Sequence, residues 1–119
     1  MTKAGEFVLT LMHAATNAHI LHLQTRSYAQ HVALNAFYEA MPGLADDLAE
    51  AIQGAEGKLL EFPVDYFGPA ETPLEELEDL KEYVDTTREA LPNRSEIQNI
   101  IDEVAQLIDS TIYKLKFLA

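Results

Sequence analysis

Three of the chain's four histidines, His19, His22 and His31, fall in one short stretch, HILHLQTRSYAQH. Imidazole is the commonest side-chain ligand of divalent transition metals, and histidines gathered at one level of a helical hairpin can hold such an ion. Downstream in the same hairpin, Asp46 and Glu50 stand four apart, so on a helix they share one face. That face lies just off the apolar stripe, which suits acids that reach a neighbour. The competing reading is that each histidine is a core residue with one satisfied hydrogen bond. His13 lies off the shared row and reads as a surface residue.

The elements that position these residues are amphipathic helices. Val8, Met12, Ala15, His19 and His22 follow a four-three spacing, with Leu11 and Ala18 thickening the row. This predicts a first helix over residues 5–23 with His19 and His22 in core places. Ser27 and Gln30 have capping-box spacing, and the stripe His31, Leu34, Tyr38, Met41, Ala45, Leu48, Ile52 predicts a second helix over 28–53. Pro42 should kink it without changing its phase, and Gly54 and Gly57 are stop signals. So short a link makes the two helices antiparallel neighbours, and the three histidines converge.

Residues 55–71 are broken by glycine and proline yet carry Leu59, Leu60, Phe62, Val64, Tyr66 and Phe67. This apolar connector should lie across the bundle or in a subunit contact. It is long enough to return along the whole bundle. Thr72-Pro73-Leu74-Glu75 opens a third helix over 73–91, and Ser95 to Gln98 has capping-box spacing for a fourth over 96–118. Short links within each hairpin and one long crossover between them describe an all-α, ferritin-like four-helix bundle in a single domain, residues 1–119.

Composition excludes much else. No cysteine means no disulfide, thiolate metal site or cysteine nucleophile. A net charge of −12 disfavours nucleic acid and anionic membranes as partners. No signal peptide or membrane-spanning run is readable, and a cytoplasmic location is expected.

None of the histidines has an acid three residues before it, so a conventional intra-bundle di-iron site built from Glu-x-x-His pairs is not expected. His19, His31, Asp46 and Glu50 have instead the spacing of the ligand set of the Dps miniferritins, which the chain resembles. There the histidines come from one subunit and the acids from its two-fold mate, forming a ferroxidase site. The resemblance implies iron at His19, His22, His31, Asp46 and Glu50, in cis or from a mate, in a homodimer or larger homo-oligomer. Mixed imidazole and carboxylate ligands also suit zinc or manganese. The chain departs from the family where Ile20 and Leu21 follow His19. It is His22-Leu23-Gln24 that looks like the family's tripeptide, which would make His22 and His31 the pair. The lysine-rich DNA-binding tail of some Dps proteins is missing.

The stretch His22 to His31 and the ending Tyr113 to Leu118 also resemble short ferritin-like phage proteins of unknown role. The rival class is a metal-free structural or interaction bundle whose apolar connector makes a homodimer. A third reading, an all-α nucleotide pyrophosphohydrolase holding magnesium, rests on Glu75, Glu76, Glu78, Asp79, Asp102 and Glu103. The same acids equally describe a solvated helix face.

Overall fold

A computed structural model describes residues 2–119. It has four α-helices, α1 (Thr2–Gln24), α2 (Tyr28–Glu56), α3 (Pro73–Thr87) and α4 (Ser95–Phe117), and no strand among the described residues. A 3-10 turn, Arg88–Ala90, follows α3.

The helix ends show where local signals were overruled. The first helix begins at Thr2, ahead of the expected Gly5, because Ala4 already packs into the core. α2 runs unbroken through Pro42 and past Gly54 to Gly57, whose φ of 72° makes the left-handed cap and whose N–H reaches the Gln53 carbonyl. At its start, Ser27 caps as expected, its hydroxyl accepting from Gln30 N at 3.2 Å. The Gln30 side chain does not close the box. It accepts instead from the Thr25 hydroxyl at 2.5 Å, and Thr25 Oγ1 accepts from Ser27 N. Thr72 caps α3 through Glu75 N at 3.1 Å, with Pro73 at the first helical position. α3 stops at Thr87, short of Leu91.

The capping box expected at Ser95 does not form. Ser95 is already helical and Arg94 precedes the helix without a side-chain cap. Gln98 donates to the carbonyls of Arg88 and Pro92, and the Arg88 guanidinium donates back to Gln98 Oε1, Gln98 O and Asp102. Tertiary bonding across the turn took the side chain that local capping would have used.

Each helix packs on two others, α1 on α2 and α3, α4 on α2 and α3. All four pairs are antiparallel. Phe7 stacks on Tyr83 at one end of α1 and Asn17 meets Glu76 towards the other. Lys81 pairs with Asp109 and Arg88 with Asp102 across α3 and α4. Tyr28 and Val32 of α2 share a groove with Lys114 of α4 and with Leu118 just past its end. It follows that α2 and α3 run parallel on a diagonal, and the connector must climb the bundle. It does so along α1. The Glu61 carbonyl lies against Gly5, Tyr66 donates to Asn17 Oδ1 at 2.6 Å, and Asn17 Nδ2 donates to the Phe67 carbonyl at 3.1 Å. Twelve helical residues from Gly5 to Asn17 rise roughly 18 Å, and six extended residues from Glu61 to Phe67 cover roughly 20 Å, so the two run side by side.

The core is built from side chains such as Phe7, Leu11, Phe37, Met41, Ile101 and Ile108, all fully buried. The connector's apolar residues do not join it. Only Leu60 is buried, whereas Leu59, Val64 and Phe67 are 79, 99 and 77 % exposed. No described helix is long and apolar enough to cross a membrane.

Candidate functional site: the histidine hairpin

The end of the α1–α2 hairpin brings His22 and His31 face to face, ring centroids 3.6 Å apart and planes 19° from parallel. His22 Nδ1 donates to the His31 carbonyl at 2.7 Å, and His31 Nδ1 donates to the His22 carbonyl at 2.9 Å. Each ring therefore closes the other's backbone. A carbonyl can only accept, so both Nδ1 atoms carry hydrogen, and in the neutral rings Nε2 keeps the lone pair. The short turn makes this possible by holding residues 22 and 31 at one level.

His19 is a correction to the sequence reading. It is exposed rather than in the core, because the buried arc of α1 is centred on Ala4, Leu11, Ala18 and His22, leaving Met12 and His19 on its rim. There His19 stacks on Tyr38 at 4.0 Å, and Tyr38 also meets His22 edge-on at 5.1 Å. His13 is half-buried and edge-on to Tyr66 at 4.8 Å.

Asp46 and Glu50 are exposed and lie 15 and 19 residues beyond His31, which is roughly 22 and 28 Å along α2. Within one chain they do not meet the imidazoles. Among the described residues no group of three or more histidines and acids is placed to hold a metal ion. Asp46 and Glu50 do face each other. The hydrogen bond with Asp46, and then the repulsion between the two carboxylates, hold the Glu50 carboxyl above its ordinary range.

The acids proposed for magnesium are dispersed. Glu76 accepts from Ala70 N at 2.9 Å and from Asn17, Asp102 pairs with Arg88 at 2.6 Å, and Glu78 faces Lys116 at 4.0 Å. Two features escaped the sequence reading. One is the buried Asn17, which pins the connector. The other is a groove of about 450 Å³ between α1, α3 and the connector, edged by Glu6, His13, Phe67, Glu76, Asp79 and Tyr83. Asn17 sits about 100° around the helix from Ala18, off the predicted stripe, and gave no periodic signal.

Together these features define an all-α four-helix protein whose buried polar side chains, among the described residues, are Asn17, which holds the connector, Thr111, bonded to the Leu107 carbonyl, and His22, bonded to the half-buried His31. Residues 22–115 match the model of a family of unknown function (DUF5856), and the chain belongs to that family. It is also similar to an uncharacterized 14.6 kDa protein in the mobD-ri intergenic region of Enterobacteria phage T4, 35 % identical over 57 residues. That match takes in 48 % of this chain and 44 % of the phage protein, so the chain spans under half the length of that relative. No solved structure matches.

Proposed function

We propose that this protein is a metal-free, self-associating helical bundle of ferritin-like topology, with a phage-related structural or interaction role. The observation that carries the reading is the outer face at the hairpin end. Tyr28 is 81 % exposed there, and with the exposed Val32 and Leu118 it lines an apolar groove of about 350 Å³. Contiguous exposed apolar surface marks an association site more often than a free surface. Charge supports a second copy as the occupant. The first eleven residues of α2, 28–38, carry no acid, and Arg26 and Lys114 lie at that end. The rest of the helix carries Glu39, Asp46, Asp47, Glu50 and Glu56 without a cation. Antiparallel pairing of two α2 helices sets the acidic half of each towards the basic end of the other.

Sedimentation and light scattering at about 100 µM should give a dimer or larger assembly, and Val32→Glu should dissociate it. A wild-type monomer at that concentration would sink the proposal.

A second reading is favoured by one observation. Both imidazoles have Nδ1 fixed on a carbonyl, the arrangement by which a backbone acceptor orients a metal-binding histidine. In an antiparallel dimer the mate's Asp46 and Glu50 would approach His19, His22 and His31, making a Dps-like iron site, or one for zinc or manganese. Elemental analysis after dialysis against Fe(II), Zn(II) and Mn(II) decides between the two. Stoichiometric metal that is lost in both His22→Ala and Asp46→Asn would replace the metal-free reading, and absence of metal supports it.

A further inference from the structure

The connector, residues 57–72, lies on the opposite side of the molecule from the α2 face and is unlike an ordinary loop. Its course is pinned at Gln53, Gly5, Asn17 and Glu76, yet between those pins it hides almost nothing. Among the described residues no hydrogen bond engages the main chain of residues 61–66. Pro63 has no N–H and the Glu61 carbonyl is seated on Gly5, but the other N–H and C=O groups of this stretch are free. An extended segment with such groups is the edge to which another extended segment adds.

Along this edge Leu59, Val64 and Phe67 stand out in water, with Phe62 and Tyr66 about half exposed. At roughly 150–250 Å² for each whole aromatic side chain, the five together make a patch on the order of 500 Å². That is near the upper end for a monomer's largest patch and close to one side of a small, transient interface.

Charge names the occupant. Glu61, Asp65 and Glu71 lie on the strap with Lys58 as its one cation. Two grooves flank it. The one beside Phe67 is edged by Glu6, Glu76 and Asp79, and a second of about 330 Å³ is formed by Glu6, Glu61, Phe62 and Pro63. Asp79, Glu61 and Asp65 make no ion pair among the described residues. A second copy would bring the same acids to the same place and be repelled.

We infer that this strap is a docking track for an extended segment of another protein in which apolar residues alternate with lysine or arginine. Main-chain bonds form along residues 62–66, where Pro63 can only accept, apolar side chains cover Val64 and Phe67, and the cations enter the two acid-edged grooves. Alternation is required because successive side chains of an extended segment point to opposite sides.

The probe is a fluorescein-labelled synthetic peptide of alternating lysine and valine, with glutamate/valine and lysine/serine versions as controls. Anisotropy should rise with the lysine/valine peptide alone, and amide signals of Val64 to Phe67 and of Glu6 should shift. Val64→Asp, Phe67→Ser and Asp79→Lys should each weaken binding by about tenfold. All three side chains are exposed, and an unchanged thermal melt shows that each variant folds. Four results would overturn the inference: no shift at about 1 mM peptide, equal binding of either control, shifts mapping to α2, or strap shifts that grow with protein concentration in the absence of peptide. The last would assign the strap to a second copy.

Discussion

At the scale of single residues, two glycines of the same type do opposite work. A Cβ on Gly5 would stand 1.8 Å from the Glu61 carbonyl oxygen, whereas one on Gly54 would meet nothing within 4 Å. Alanine gains about 1 kcal/mol over glycine inside a helix. Gly54→Ala should therefore stabilise the protein by up to about 1 kcal/mol in urea unfolding. Gly5→Ala should lose about 1–2 kcal/mol, because overpacking against backbone outweighs the propensity gain. Faster amide exchange at residues 61–67 in Gly5→Ala would report the displaced strap. Equal effects of the two substitutions would refute this account.

The acid pair on α2 gives a pH prediction. The Glu50 carboxyl is held above its ordinary range by Asp46, so its favourable contribution is complete at pH below that range and is lost as pH rises through the raised value. Glu50→Gln should accordingly melt higher than the wild type at neutral pH, and the difference should vanish on acidification. Glu96 behaves in the opposite sense. Hydrogen bonding to Arg94 and to its own backbone holds its carboxyl low, so what it contributes is present at neutral pH and lost in acid.

Among the elements, the strap is held to α1 by few bonds, and each counts. Tyr66 and the Phe67 carbonyl together satisfy both ends of the Asn17 amide, a side chain 5 % exposed. Tyr66→Phe leaves Asn17 Oδ1 without its donor and should cost about 1–2 kcal/mol. If the loss is local to the strap, the fast-exchanging amides will be those of residues 61–70, with the helices unchanged. α3 and α4 are joined in a similar way, through the bonding between Arg88 and Gln98 rather than through caps.

For the molecule as a whole, twenty acids against eight bases make self-repulsion a standing cost. Raising ionic strength from about 10 mM to about 150 mM shortens the Debye length from roughly 30 to 8 Å, and the melting temperature should rise. A fall would mean that the exposed ion pairs outweigh the net charge. Any self-association on the α2 face should strengthen or weaken with salt according to whether its cross-pairs or the shared negative charge dominates, and the sign can be read in the same titration.

Helix number and the antiparallel first hairpin were legible because burial imposes a period on the chain, and a stripe such as Leu34, Met41, Ala45, Leu48 and Ile52 has no other use. The length of the connector likewise permitted the parallel arrangement of α2 and α3. Other features were decided only in three dimensions. Whether His19 is inside or on the rim turns on a rotation of α1 of less than one residue's arc, which neighbouring helices set. Whether Gln98 caps its own helix or bonds across a turn depends on where Arg88 arrives. Gly5 looked like a helix start and is the seat of a carbonyl from a residue 56 positions away. Periodicity records which side of an element is dry. Which partner a polar group finds there is fixed by distance between segments, and local sequence holds no record of that.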